Sequence, residues 1–227
     1  MQLSRGQLDA FQVYSDLLIA EGRRTNLTAL REPGEISRRH FQESLALLEA
    51  IEAAGAFASP AIDAGTGAGF PGVPIKIARP EMELTLLEAT GKKVAFLQRL
   101  VSRLGLSGVQ VVYGRAEEVA HRPEQRESYA LALARAVAPL PVLVELALPF
   151  LRTGGHLAAA KGSGAQREAR EAEAALAACG GEVVSVGKLD VAGPGPAPSL
   201  VLIRKTAPTS ERYPRRAGMP AKRPIRG

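Results

Sequence analysis

Cysteine is almost missing from this chain: Cys179 stands alone among 227 residues. One thiol forms no internal disulfide and no four-thiolate zinc site, and its isolation points to a reducing compartment. Histidine is nearly as scarce. His40, His121 and His156 lie far apart, none with a second ligand at metal-binding spacing, so no metal is expected. Tryptophan is absent and aromatics make up 4% of residues, which argues against a sheet face that stacks bases. No window approaches eighteen uninterrupted apolar residues, so no membrane association is expected. The start, MQLSRGQLDAFQVY, lacks the charged residues and apolar run of a secretory leader, and the expectation is a cytoplasmic protein.

What is present is the balance of a globular domain, 46% apolar and 23% charged. A chain of this length buries well over half its surface without staples. The net charge of +6 is unevenly placed. From Thr206 onward, Arg212, Arg215, Arg216, Lys222, Arg223 and Arg226 face one acid, Glu211, so this short stretch carries five of the six net charges. A basic tail on a near-neutral body suits a polyanionic partner.

Leu8, Phe11, Tyr14, Leu17 and Leu18 recur at helical spacing, and a second helix is expected from about Glu35 to Ala53, with Ile36, Leu45 and Leu48 on its stripe. From Pro60 the texture changes to short apolar runs alternating with helices. Strands are expected at Ala61–Ala64, Glu83–Leu87, Val109–Val112, Ala130–Ala134, His156–Ala160, Val183–Val186 and Leu200–Ile203. Helices are expected from near Val73, at Lys92–Leu104, at Pro141–Leu151 and at Gln166–Ala178. This alternation predicts an α/β protein, a seven-stranded, mostly parallel sheet with helices on both faces, ending in a hairpin around the Pro- and Gly-dense stretch Val191–Ser199. The expected division is a helical extension over 1–55, the α/β core over 56–205 and the basic tail over 206–227.

The most informative stretch runs from Ala61 to Gly72, AIDAGTGAGFPG, after a strand and before a helix. Gly65, Gly67 and Gly69 let the backbone turn sharply and approach a ligand, with main-chain N–H groups and a helix start favouring negative charge. Read from Gly67 the pattern is G-x-G-x-x-G, formally a dinucleotide loop, but Pro71 removes a donor and no Tyr/Lys pair for hydride transfer accompanies it. Read from Asp63 it is D-x-G-x-G-x-G, similar to the nucleoside-binding loop of Rossmann-like S-adenosylmethionine-dependent methyltransferases, with Asp63 suited to a ligand ammonium group. Glu88, ending the second strand, is placed to accept ribose hydroxyls. Glu117, beside Ala116 after the third, falls where an adenine would lie.

The fourth strand ends in LARAVAP. It carries no Asn/Asp-Pro-Pro-aromatic segment for an exocyclic amine, and Cys179 is too distant to attack a pyrimidine carbon. A substrate that is already nucleophilic remains, and guanine N7 fits, since alignment then suffices without a general base. Another RNA amine or a ribose oxygen stays open, as do a nicotinamide-dependent oxidoreductase and a non-catalytic ribosome-assembly factor.

NLTAL from Asn26, DAGTGAGFPGVPIKI from Asp63, LEATGKKVAFL from Leu87, RAVAPL from Arg135, AKG from Ala160 and YPRRAGMPAKRPI from Tyr213 together resemble the glucose-inhibited division protein B family, also called ribosomal small-subunit methyltransferase G. The resemblance covers nearly the whole chain. It implies a Rossmann-like methyltransferase fold, S-adenosylmethionine as cofactor and methylation of guanine N7 in 16S rRNA. It also implies cofactor contacts at Gly65, Phe70, Glu88, Ala89, Thr90, Ala116, Glu117 and Arg135. Arg135 would orient the cofactor or hold an RNA phosphate. Further RNA contacts are expected from Arg23, Arg24, Arg38, Arg39, Arg212, Arg215, Arg216, Lys222 and Arg223, with the 16S rRNA or small subunit as partner and the protein a monomer.

Overall fold

The computed structural model describes residues 1–25, 27, 33–191 and 196–226. Helix α1 (Arg5–Thr25) comes first. Then α2 (Pro33–Ile36), a π-helical turn (Ser37–Gln42) and α3 (Glu43–Ala53) run end to end where one regular helix was expected. The alternating region follows as β1 (Ala61–Ala64), α4 (Gly72–Ala78), β2 (Leu84–Glu88), α5 (Gly91–Arg103), β3 (Val109–Tyr113), α6 (Ala116–Val119), β4 (Tyr129–Arg135) and α7 (Leu140–Ala147). It continues through a 3-10 turn (Leu148–Phe150), β5 (Leu151–Lys161), α8 (Ala165–Glu171), α9 (Glu173–Cys179), β6 (Gly181–Lys188) and β7 (Ser199–Lys205), with α10 (Met219–Lys222) in the tail.

The strands form one seven-stranded sheet in the order β3-β2-β1-β4-β5-β7-β6. β1 to β5 are parallel, and β7 runs antiparallel to both β5 and β6, so the final hairpin is as expected. Every residue of β1 and β2 is buried, as parallel strands covered on both faces require. Strand order reverses between β1 and β4. In such sheets the crevice at the carboxyl ends of those two strands is where ligands bind.

One face of the sheet packs under the N-terminal helices, α4 and α5, with Phe11, Tyr14, Leu18, Ile36 and Leu48 in the same core as Leu86 and Leu131. The other face packs under α7, α8 and α9. Leu8, assigned to the α1 stripe, is 55% exposed. Its place facing the core is taken by Gln7, whose amide donates to the main-chain oxygens of Ile77 and Ala78 at the end of α4.

Three boundaries differ from expectation. The helix after β4 stops at Ala147, because Pro149 has no N–H to continue the ladder, and β5 starts at Leu151 instead of His156. In the polar start of β5, RTGG, Arg152, Thr153 and Gly154 are exposed, and the stretch carries no apolar alternation. The expected helix 166–178 is broken at Ala172 into α8 and α9.

The tail does not hang free. Arg126 donates to the main-chain oxygens of Thr209, Ser210 and Tyr213, and His121 Nε2 lies 2.8 Å from the Pro214 oxygen. Glu145, fully buried on α7, accepts from Arg215 through its main-chain N–H, Nε and Nη2 at 2.8, 2.8 and 2.6 Å. Arg215 is therefore an internal tie, which corrects its assignment to the RNA surface. Removing one partner of a buried ion pair strands the other charge away from water. Arg215→Ala should lower the unfolding free energy by about 3 kcal/mol in urea titration, whereas Arg216→Ala, on the exposed side of the same segment, should stay within about 0.5 kcal/mol of the parent.

Candidate active site

The turn from Asp63 to Gly72 sits at the carboxyl end of β1. Gly65 has φ +75°, a conformation that side chains disfavour, and a Cβ there would lie 3.1 Å from Val137 Cγ2. Gly69, at φ +104°, leaves no room for a Cβ beside the Tyr14 hydroxyl, which donates to the Ala68 oxygen at 2.6 Å. The turn is thus shaped from outside as well as within.

Asp63 does not face a solvent-accessible hollow. Its carboxylate is fully buried, with Oδ2 accepting from Thr66 Oγ1 at 2.6 Å and from the Gly72 N–H at 2.8 Å. It clamps the two ends of the turn together. Burial pushes its pKa up to about 6, against the opposing pull of those two hydrogen bonds and of the Arg135 charge.

A hollow of about 140 Å³ lies beside the turn, lined by Gly65, Leu87, Ala89, Ala116, Glu117 and Val137 among others. Four of the expected cofactor positions meet there. Glu88 stands at its edge with little exposure: Oε2 accepts from the Gly67 N–H at 3.0 Å and Oε1 from the Thr90 N–H at 2.8 Å. Each of its oxygens keeps one further lone pair. Glu117 Oε1 accepts from the Gly218 N–H at 2.9 Å, so the tail reaches the rim of this hollow.

A wider cleft of about 550 Å³ opens at the ends of β4 and β5, lined by Arg39, Glu43, Arg135, Lys161 and Glu168, and Val137 lines it too. The two hollows therefore adjoin at Val137. Its neighbour Ala136 has φ +56°, an uncommon conformation for a residue with a side chain. The loop is braced by Lys161, which donates to the Ala138 oxygen at 2.6 Å, and by Glu168, which accepts from the Leu140 N–H. Burial opposes ionisation of Glu168, but Lys161 at 2.7 Å and the Leu140 N–H together hold its pKa down.

Two expected contacts lie elsewhere. Phe70 packs with Tyr14, Phe41 and His40 beneath the N-terminal helices, and is 5% exposed. A large ring following a turn is drawn to that aromatic cluster. Arg135 lines the wide cleft and is absent from the lining of the small hollow. Its guanidinium lies over Phe70 at 4.9 Å and donates to the Arg39 oxygen. Burial lowers its pKa, while Glu43, Tyr14 and Asp63 oppose the shift.

Of the expected RNA contacts, Arg39, Arg212, Arg216, Lys222 and Arg223 are exposed. The side chains of Arg23, Arg24 and Arg38 lie outside the described residues. The sequence reading missed Tyr14, His40, Thr66 and Val137. Only Thr66 left a signal, a hydroxyl three residues after Asp63; the others come from distant segments. Among the described residues no cluster of three or more His, Cys, Asp or Glu could hold a metal ion, and no helix is long and apolar enough to cross a membrane.

A family model for rRNA small subunit methyltransferase G matches residues 7–192. A ribosomal RNA small subunit methyltransferase G from Chloroflexus aggregans is 46% identical over 223 residues, covering 98% of this chain and 92% of that relative. One from Desulfitobacterium hafniense is 40% identical over 225 residues, covering 99% and 92%. A solved SAM-dependent methyltransferase from Aquifex aeolicus shares the fold at TM-score 0.55 and 17% identity, over 77% of this chain and 99% of that one. With seven-tenths or more of its length matched by model and relatives alike, the chain belongs to the ribosomal RNA small subunit methyltransferase G family.

Proposed function

We propose that this protein transfers a methyl group from S-adenosylmethionine to N7 of a guanine in 16S rRNA, acting in the cytoplasm on the small subunit or its RNA. The observation that carries the reading is the pair of adjoining hollows at the reversal point of the sheet. One is lined by Gly65 of the glycine turn and by Glu117, and the other opens beside Arg39 and Arg135.

The residues around the smaller hollow suit the cofactor. Asp63 Oδ1 is buried without a hydrogen-bond partner, an acceptor that a nearby ammonium group would satisfy. Glu88 and Glu117 offer carboxylate oxygens for sugar hydroxyls and a base edge. Gly65 and Ala116 leave flat walls for a ring. Bound S-adenosylmethionine supplies an electrophilic methyl on a sulfonium sulfur. The chain's part is alignment: it holds the target base in line and excludes water.

Among the described residues, neither carboxylate of the wide cleft is poised as a general base. Glu168 is tied to Lys161, and Glu43 lies 3.4 Å from the Arg135 guanidinium. Guanine N7 carries no proton, so its methylation needs none removed. Arg135, with Arg39 beside it, would hold a phosphate of the RNA and fix the nucleotide. The exposed cations of the tail would add salt-sensitive grip with little sequence information. Hydride transfer has no residues to support it here.

Incubation with cofactor and small-subunit rRNA, followed by mass spectrometry of the digest, should yield N7-methylguanine at one position. Methylation on an exocyclic amine or a ribose oxygen would reject the assignment. Gly65→Asp should abolish S-adenosylhomocysteine binding in calorimetry while circular dichroism retains the parent's secondary structure.

Asp63 also sets a pH signature. Its folded pKa of about 6 exceeds the ordinary 3.8, so the folded state holds the extra proton between those values. That contribution to stability is complete below pH 3.8 and is lost as pH rises through 6, a displacement worth on the order of 3 kcal/mol. His40 works in the opposite sense, its pKa being lowered to about 4, so it favours the folded state more as pH rises from 4 towards 6.5. The difference between Asp63→Asn and wild type isolates the carboxylate. Measured by urea unfolding, it should move in favour of the variant from pH 4 to 6.5 and be flat above.

A further inference from the structure

The aromatic cluster under the N-terminal helices includes an imidazole. His40 belongs to the π-helical turn, and its ring stacks on Phe70 with centroids 4.4 Å apart. Its Nδ1 lies 2.9 Å from Arg135 Nη2. A guanidinium only donates, so Nδ1 accepts and the ring hydrogen belongs on Nε2. Burial first, and then the Arg135 charge, hold the ring's pKa at about 4 against a hydrogen bond with the Arg39 main chain, so the ring is neutral at pH 7. The charged groups around it are Arg39 on the same turn, Arg135 from β4 and, across the guanidinium, Glu43 from α3.

The remaining Arg135 hydrogen-bond partners come from the same short segment. Nη1 donates to the Arg39 main-chain oxygen at 3.0 Å and lies 3.4 Å from Glu43 Oε2. One guanidinium at the end of β4 is thus held on three sides by residues 39, 40 and 43. Irregular π turns inside helices recur at functional sites, and this one presents its polar atoms to the cleft-lining arginine.

We propose that His40 is a positioning residue: its neutral imidazole fixes the Arg135 guanidinium at the wall of the wide cleft, ready to hold an RNA phosphate. This rests on the reading of Arg135 given above. A long side chain held in one orientation before binding loses less freedom when its ligand arrives, so the contact acts on RNA use and leaves cofactor affinity alone.

The test compares wild type, His40→Phe, His40→Asn, Arg135→Ala and the double variant His40→Phe/Arg135→Ala in methyl transfer to unmethylated small subunits. Calorimetry with S-adenosylhomocysteine and melting temperature are measured alongside. Phe keeps the ring stack and removes the acceptor; Asn places an oxygen near the Nδ1 position. His40→Phe should lower kcat/KM for the RNA about tenfold to a hundredfold, the range of one hydrogen bond to a charged group, with cofactor Kd within about twofold of wild type. His40→Asn should recover most of that loss, and His40→Phe should add nothing in the Arg135→Ala background. Equal losses in Phe and Asn variants, weakened cofactor binding in His40→Phe, or a full further loss in the double variant would each overturn the proposal. An unimpaired Arg135→Ala would remove the reading of Arg135 and this proposal with it, whereas an impaired Arg135→Ala beside an unimpaired His40→Phe removes the proposal alone. Nitrogen NMR of the wild-type ring needs no variant: it should show the Nε2–H tautomer, and an Nδ1–H tautomer at pH 7 would also overturn the proposal.

Discussion

The Asp63 carboxylate, shut away from water and bonded to both Thr66 and Gly72, is the constraint on which the site depends. That clamp adds to the main-chain hydrogen bonds from Gly69 and Phe70 to the Thr66 oxygen in ordering three glycines, which lose more freedom on ordering than any other residue. The clamp leaves one oxygen buried and unpartnered, an unfavourable arrangement in the empty fold. The same carboxylate is offset by Arg135, whose charge lowers its pKa, so the turn and the far wall of the cleft are electrostatically linked.

The N-terminal helices belong to this arrangement. Tyr14 on α1 reaches into the glycine turn, and Phe41 and His40 close over Phe70. Arg135 is held by the main chain of the π turn. The helices and the sheet share one hydrophobic cluster, so substitutions in the first fifty residues act on the turn through packing. Calling that region an extension describes its place in the chain; physically it forms the outer wall of the site.

Much of this was legible in the sequence. Short buried strands bounded by Gly and Pro mark the sheet, and the acid-plus-glycine turn marks the crevice, because each signal is local and has a local cause. The illegible parts are those made by distant partners. Leu8 and Gln7 exchange the roles that apolarity alone would assign, since the end of α4 offers carbonyls that an amide can satisfy. The RTGG start of β5 lies in an irregular stretch between the paired residues Leu151 and His156, where no side-chain alternation marks a strand. Asp63 could be placed beside the crevice, but not told apart as a clamp, because that depends on which way its oxygens turn.

The basic residues show the same limit. Composition counts Arg215 with its neighbours, yet it spends its charge on buried Glu145, and Lys161 spends its own on Glu168 and the Ala138 oxygen. Lys205, fully buried, is held by Glu127, Thr209 and the Leu148 and Cys179 oxygens. These cations build the protein. Others stay exposed, among them Arg39 in the cleft and Arg212, Arg216, Lys222, Arg223 and Arg226 in the tail. The two groups are mechanically joined, because Arg215 lies within the segment that carries the exposed set and Gly218 touches Glu117 at the rim of the smaller hollow. A tail pinned at both points presents its charges at a fixed distance from the reacting edge.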